Sequence, residues 1–259
     1  MRPRQIAQLC ILVILVSSDL SAAPNQNIQR SGNQSLSIES PLTHRRIHYA
    51  GNLYAKISND ARIGDVGGLN PTDPEYDLIG HDAHFEFPAG SRADYLYNGS
   101  LWVGGIVGSD TLVSEAVDGA SAGAYEYNSF SPIEESYSPL TGQQTFTAYY
   151  ADTLILPFTS DEVALRLHKP LGLAITQKSH AFKTAPFDAF VIVEYLIRNI
   201  SEYTISDAFV GIIADADIWL QVTPQTFSGG PLDDLAGYLS DECIGYAIDQ
   251  DGDPLIATP

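Results

Sequence analysis

Sulfur is nearly missing from this sequence. Two cysteines, Cys10 and Cys243, and one methionine, Met1, are all that its 259 residues contain. With Cys10 inside an N-terminal apolar run, Cys243 stands alone in the body of the chain, and a disulfide scaffold is excluded. No His or Lys lies near Cys243 to lower its pKa, so a buried, inert side chain is expected there. Positive charge is scarce as well: 13 Lys and Arg stand against 32 Asp and Glu, a formal net charge of −19. A field of that sign repels phosphate, so nucleic acids and anionic membrane surfaces are poor partners. Divalent cations and neutral glycans are compatible with it. Neither a P-loop nor a G-x-G-x-x-G turn is present to cradle phosphates. No stretch of fifteen residues shows sustained helical periodicity with caps. What the chain does have is 44% apolar and 10% aromatic residues, enough to build a core.

Its one long apolar run is Ile6–Val16, preceded by Arg2 and Arg4 and followed by the small residues Ser17, Ser18, Ser21, Ala22 and Ala23. A positive start, a short apolar middle and small residues at the end are the pattern of a secretory signal peptide over residues 1–23, cleaved after Ala22 or Ala23. The run is shorter than the ~20 residues a spanning helix needs, so no membrane span is expected after cleavage. The expected location is secreted or extracellular.

Residues 24–46 are rich in Asn, Gln, Ser and Arg and read as a polar linker, with His44 and His48 solvated at its end. From Ile47 the signals are those of strands and turns. Tyr95–Tyr97, Asn98-Gly99 and Leu101–Val103 form the strongest hairpin signal, because Asn-Gly accepts the positive φ of a tight type I′ turn. Gly108-Ser109-Asp110 turns the chain again before Thr111–Val113. A second hairpin is expected from Phe190–Asn199 and Thr204–Asp217, with Val191, Val193, Tyr195 and Ile197 on one face of the first arm and Ala208, Val210, Ile212 and Ala214 on one face of the second. Leu171–Phe182 and Ile244–Asp249 are further strands. The expected fold is all-β, an antiparallel β-sandwich of one or two packed units, 47–144 and 145–259, the second cut short at its C-terminus. Residues 114–143 are expected to be a large loop or the boundary between those units.

Asn52–Asn59 followed by Arg62-Ile63-Gly64, then Phe87–Gly90 and Tyr95–Gly105, resembles the opening of a group of uncharacterised secreted, modular bacterial proteins. Lys169–Leu173, Phe190–Asn199 and Val210–Asp217 resemble later blocks of the same group. Proteins of that group often end in a C-terminal secretion-sorting domain of β-sandwich type. The resemblance implies layout and export and brings no catalytic residues with it.

Several constellations could carry chemistry. Gly119-Ala120-Ser121-Ala122-Gly123 matches the G-x-S-x-G nucleophile elbow, with Asp152, Asp161, His168 and His180 downstream. The helix that must follow an elbow is not encoded, so Ser121 is expected to be a loop residue and no nucleophile. Asp82, His84 and Glu86 alternate beside His81 and would share one side of a strand, a partial transition-metal set. Asp215 and Asp217 alternate at a strand end, and Asp249, Asp251 and Asp253 alternate around Gly252. Hard carboxylate oxygens at loop ends suit calcium, although Pro254 rules out an EF-hand. Glu134-Glu135, Asp233-Asp234 and Glu194 are acids of the kind that flank a glycosidic bond. Trp102 and Trp219 offer broad faces for stacking on sugar rings, or equally for cross-strand packing. The expectation is a non-catalytic extracellular β-sandwich module with a structural, adhesive or glycan-binding role and a glycan or cell-surface partner. A secreted carbohydrate-active hydrolase is the alternative.

Overall fold

Period-two alternation of apolar and polar residues produces strands almost throughout. The computed structural model describes residues 11–19, 43–64, 73–117, 126–153, 167–221 and 230–250. In chain order the first strands are β1 (Ile11–Asp19), β2 (Arg45–His48), β3 (Tyr54–Ser58) and β4 (Arg62–Gly64). A six-residue helix, α1 (Pro74–Ile79), has Pro74 in its first turn and left-handed Gly80 after its last. Then come β5 (Phe85–Glu86), β6 (Ala93–Asp94), β7 (Asn98–Val107), β8 (Asp110–Glu115), β9 (Asn128–Ser129), β10 (Glu134–Ser138) and β11 (Gln143–Ala151). The chain continues through β12 (Leu173–Phe182), β13 (Phe190–Asn199), β14 (Ser206–Asp215), β15 (Trp219–Leu220), β16 (Asp234–Leu239) and β17 (Ile244–Asp249).

These strands build two sheets packed as a sandwich, plus the separate hairpin β16–β17. Sheet A runs β1-β13-β12-β11-β10, with β9 on β11. Sheet B runs β14-β7-β4-β3-β5-β6-β15, with β2 on β3 and β8 on β7. The described strand pairs are antiparallel except β1 with β13, which is parallel over nine residues. The core fills the space between the sheets. Ile57, Ile63, Leu101 and Val103 come from sheet B and meet Phe146, Tyr150, Ile175 and the β13 row Val191, Val193, Tyr195 and Ile197. None of these is more than 2% exposed. Each such side chain contributes about 1.5–3 kcal/mol on burial, so the all-β sandwich expected from alternation has an ordinary driving force. Among the described residues, no helix is long and apolar enough to cross a membrane.

The structure corrects several local expectations. Asn98-Gly99 is no turn; it opens β7, flanked by β4 on one side and β14 on the other. Gly99 serves close approach instead: a Cβ there would lie 2.9 Å from the Ile213 carbonyl oxygen and 3.0 Å from Ile63 Cγ1. Gly99→Ala is therefore expected to cost about 1–3 kcal/mol through backbone displacement, read as a lower urea midpoint at unchanged slope. An unmoved midpoint would show that β4, β7 and β14 have slack. The reversal occurs at Gly108-Ser109, where Gly108 takes φ +64° and Val107 pairs with Asp110.

The 204–217 arm forms a strand but does not pair with Phe190–Asn199. It crosses to sheet B and pairs with β7 as β14. The Asn199 side chain holds the departing turn, donating to the Tyr203 carbonyl at 2.6 Å and accepting from the Ser201 N–H at 2.9 Å. Residue 145 lies within β11, and β14 from beyond it pairs with β7 from before it. Arg45 and Arg46, expected to end a linker, begin β2 instead. Residues 114–143 contain the end of β8 and all of β9 and β10. Cys243, expected to be buried, is exposed, its thiol 3.7 Å from the Ser240 carbonyl and its φ +56° at the β16–β17 reversal.

Candidate functional site

Three polar clusters bear on the residues singled out in the sequence, and the first pins the two sheets together. Arg46 on β2 donates from Nε to both Glu75 oxygens, at 2.8 and 3.0 Å, and from Nη2 to Glu135 on β10 at 2.7 Å. The other Glu135 oxygen accepts from the Gln144 amide at 2.8 Å. That contact fixes the orientation of Gln144, whose Oε1 accepts from the Tyr49 N–H at 3.0 Å and from His48 Nδ1 at 3.2 Å. His48 Nε2 is then left to accept the Ser179 hydroxyl at 2.7 Å. The chain Arg46–Glu135–Gln144–His48–Ser179 thus runs from sheet B across β10, β11 and β12. His48 is fully buried and stacks on Phe146, with ring centroids 4.1 Å apart. Burial pushes its pKa down to about 3, with His180 and Arg46 adding to the effect and Gln144 opposing it. His44 is likewise engaged: Nε2 meets Asp73 at 3.0 Å and Nδ1 accepts the Ile133 N–H at 2.9 Å. Neither histidine is solvated as the linker composition suggested; His48 closes β2, and His44 stands just before it, held by Asp73 and Ile133.

The second cluster surrounds Trp219. His84 is buried between Asp82 and Asp94, with N–O separations of 3.8 and 3.6 Å from different ring nitrogens. Buried Lys56 pairs with Asp82 at 2.5 Å. Glu86, opposite Asp94 across the strands, is engaged by His81 and by the Gly90 N–H. Among the described residues, Asp82, His84 and Glu86 do not bring three ligand atoms within 4.8 Å of one another, and the Asp82 carboxylate is taken by Lys56. Asp94 also accepts from the Gln221 amide and the His84 N–H, yet burial raises it to about 6. Trp219 pairs with Asp94 across the strands and is half-buried, its ring 5.5 Å from His84 and 6.2 Å from Tyr97. Trp102 is half-buried too, donating from Nε1 to the Val117 carbonyl at 2.7 Å.

The third cluster is acidic. Asp234, opening β16, stands opposite Asp249, closing β17, and Asp233 precedes them. One carboxylate oxygen of each lies within 4.8 Å of the others. Burial raises Asp234 to about 6, helped by Asp249, Asp217 and Asp233 and opposed by the Ile218 N–H, which it accepts at 2.6 Å. Burial and then Asp215 raise Asp217 to about 6; burial also raises Asp215. Both Asp233 oxygens and Asp234 Oδ1 are shut off from solvent without a hydrogen-bond partner. Of the five aspartates expected to bind calcium, Asp249 belongs to this group, Asp217 acts electrostatically on Asp234 and Asp215 on Asp217, while Asp251 and Asp253 lie outside the described residues. Asp233 and Asp234 complete the group. Their adjacency was visible in sequence, but their place beside Asp249 depends on the hairpin register.

Ser121 and Asp161 also lie outside the described residues. Asp152 is occupied by the Ser114 hydroxyl and by the N–H groups of Leu171 and Leu173. His168 Nδ1 lies 2.9 Å from buried Glu126 beside a cavity of about 400 Å³ lined also by β8 and Lys169. Glu194 meets His180 at 3.1 Å, and Glu134 is exposed on β10. No family model, curated protein or solved structure matches this chain.

Proposed function

We propose that this chain is a non-catalytic, extracellular β-sandwich module with a structural or adhesive role, in which a calcium ion fastens the C-terminal hairpin. The observation that supports the structural role is the Arg46–Glu135–Gln144–His48–Ser179 chain, whose buried polar groups are used to join sheet B to sheet A. Both tryptophans are half-buried and engaged with their own neighbours, which favours packing over sugar stacking. Export rests on the leader over residues 1–23 and on the resemblance to secreted modular proteins. Assay of the purified product against polysaccharides and immobilised glycans tests this role. Release of reducing ends, lost in Glu194→Gln or Glu134→Gln, would replace it with the hydrolase; retention on a glycan would narrow it to adhesion.

Calcium is supported by the carboxylate oxygens of Asp233, Asp234 and Asp249, with Asp217 and Asp215 behind them. Without a cation, the raised pKa values of Asp217 and Asp234 favour the folded state at low pH, and that contribution fades as pH rises through about 6. A bound cation needs these carboxylates ionised, so it offsets the loss. Calcium at ~100 times Kd is expected to add about 2.7 kcal/mol of stability at neutral pH, and much less near pH 5. Melting curves in calcium and in chelator at both pH values check this. Coincident curves at neutral pH would remove the cation.

A further inference from the structure

Sheet A ends on β1, and the strand that β1 covers is β13. The described edge strands of the two packed sheets differ in how they discourage pairing. At one end of sheet A, β10 has five residues, carries Glu134 and Glu135, and is almost wholly exposed. On sheet B, β14 is interrupted by a register shift between Ser206 and Phe209, with Asp207 at φ +47°, and β15 has only two residues. Charge, shortness and bulges are how natural edges avoid further strands. β13 carries Glu194 and Arg198 on its outer face, but it is neither short nor bulged. It runs ten residues without proline, pairs with β12 from Val191 to Asn199 without a shift, and presents its other side to β1.

β1 is the apolar centre of the leader. It lies parallel to β13 in continuous register from Ile11 opposite Phe190 to Asp19 opposite Arg198. The backbone groups of the β13 edge are therefore accessible to a nine-residue strand, and the inner row Val191, Val193, Tyr195 and Ile197 reaches the core directly beneath it. Removal of the leader vacates that place. Buried backbone N–H and C=O groups left unpaired at such an edge are costly, and an added strand satisfies them while alternate side chains set specificity.

We propose that, once the leader is removed, the β13 edge is a docking site that accepts a parallel, apolar β-strand of leader-like composition from another exported polypeptide. This rests on the leader being cleaved. The test uses the product collected from an exporting host, its N-terminus sequenced first, in a Cys243→Ser background. The probe is a synthetic peptide of residues 11–19 with a solubilising lysine tail. Val13 faces Ile192 and Ser17 faces Leu196 in the register. Neighbouring strands lie about 4.8 Å apart, within disulfide range, and a one-residue slip sends the side chain to the opposite face. The Val13→Cys peptide should therefore crosslink to Ile192→Cys, and the Ser17→Cys peptide to Leu196→Cys. Each yield should be about tenfold above that of the swapped peptide on the same protein, since a wrong register places the two sulfurs apart. The second pair guards against misfolding of either variant. Equal yields for matched and swapped peptides, or no crosslink to a folded, cleaved product, would overturn the docking site alone. Ile192→Cys chains that crosslink to one another without peptide would overturn it in favour of a second copy. An exported product that still begins at Met1 would overturn the leader and the docking site together.

Discussion

Arg46→Ala is expected to destabilise the chain by about 3–5 kcal/mol, because it strands a charge that cannot reach water. Glu75, on α1, is 0% exposed, and Arg46 holds both of its oxygens. Burial already raises the Glu75 carboxyl above its ordinary range against the pull of the guanidinium; without Arg46, only the weaker option of protonation remains. The same substitution frees Glu135 on β10 and removes the guanidinium from over the Phe146 ring, 5.0 Å from its centroid. One side chain thus ties α1 and β2 to β10 and β11, and its loss is a large share of a typical total of about 5–15 kcal/mol. Arg46→Lys should recover only part, since an ammonium cannot grip both Glu75 oxygens in a planar fork. The decisive comparison is Arg46→Ala with and without Glu75→Gln in urea. The double variant should be more stable than Arg46→Ala alone, with coupling of about 1–3 kcal/mol. If Glu75→Gln only adds to the damage, the stranded charge is not what the first substitution costs.

The same residue shows where sequence reading stops. β12 and β13 were legible because alternate residues of each form one buried row, whatever lies beside it. The partner of each strand was not legible. Phe190–Asn199 and Thr204–Asp217 look like a hairpin by proximity, but Asn199 ties off a turn that sends the second strand to the other sheet. Asn98-Gly99 carries a genuine turn preference that its neighbours override, since β4 and β14 flank it and need a residue without a side chain. Arg45-Arg46 and His48 look solvated because their partners, Glu75, Glu135, Gln144 and Ser179, are distant in sequence. The acidic site was half-legible for a related reason. Alternation marked Asp215, Asp217 and Asp249, whereas Asp233 and Asp234 join them only through the β16–β17 register. Composition indicates which residue types are present; register decides which of them meet.

Acid should unlock the sheets at His48. Its pKa lies near 3 in the folded chain against an ordinary 6.5, so the folded state holds it neutral where the unfolded chain would bind a proton. A depressed histidine contributes stability above its unfolded value and loses it as pH falls from about 6.5 towards 3, at up to ~1.4 kcal/mol per pH unit. By pH 4 the loss from this one group is about 3 kcal/mol. Asp94 works in the opposite direction, because its raised value near 6 favours the folded state as pH falls towards the ordinary carboxylate range. A single wild-type curve therefore mixes the two slopes, and a difference between variants separates them. His48→Gln keeps a polar side chain between Gln144 and Ser179 but cannot take up a proton. It should cost stability at neutral pH through lost stacking on Phe146 and poorer hydrogen bonding. The gap to wild type should then close, and can reverse, as pH falls below 6. Urea midpoints measured at intervals across that window give the gap directly. A gap that stays constant would mean that His48 has the same proton affinity folded and unfolded, and that the buried chain linking the two sheets is open to water at its centre.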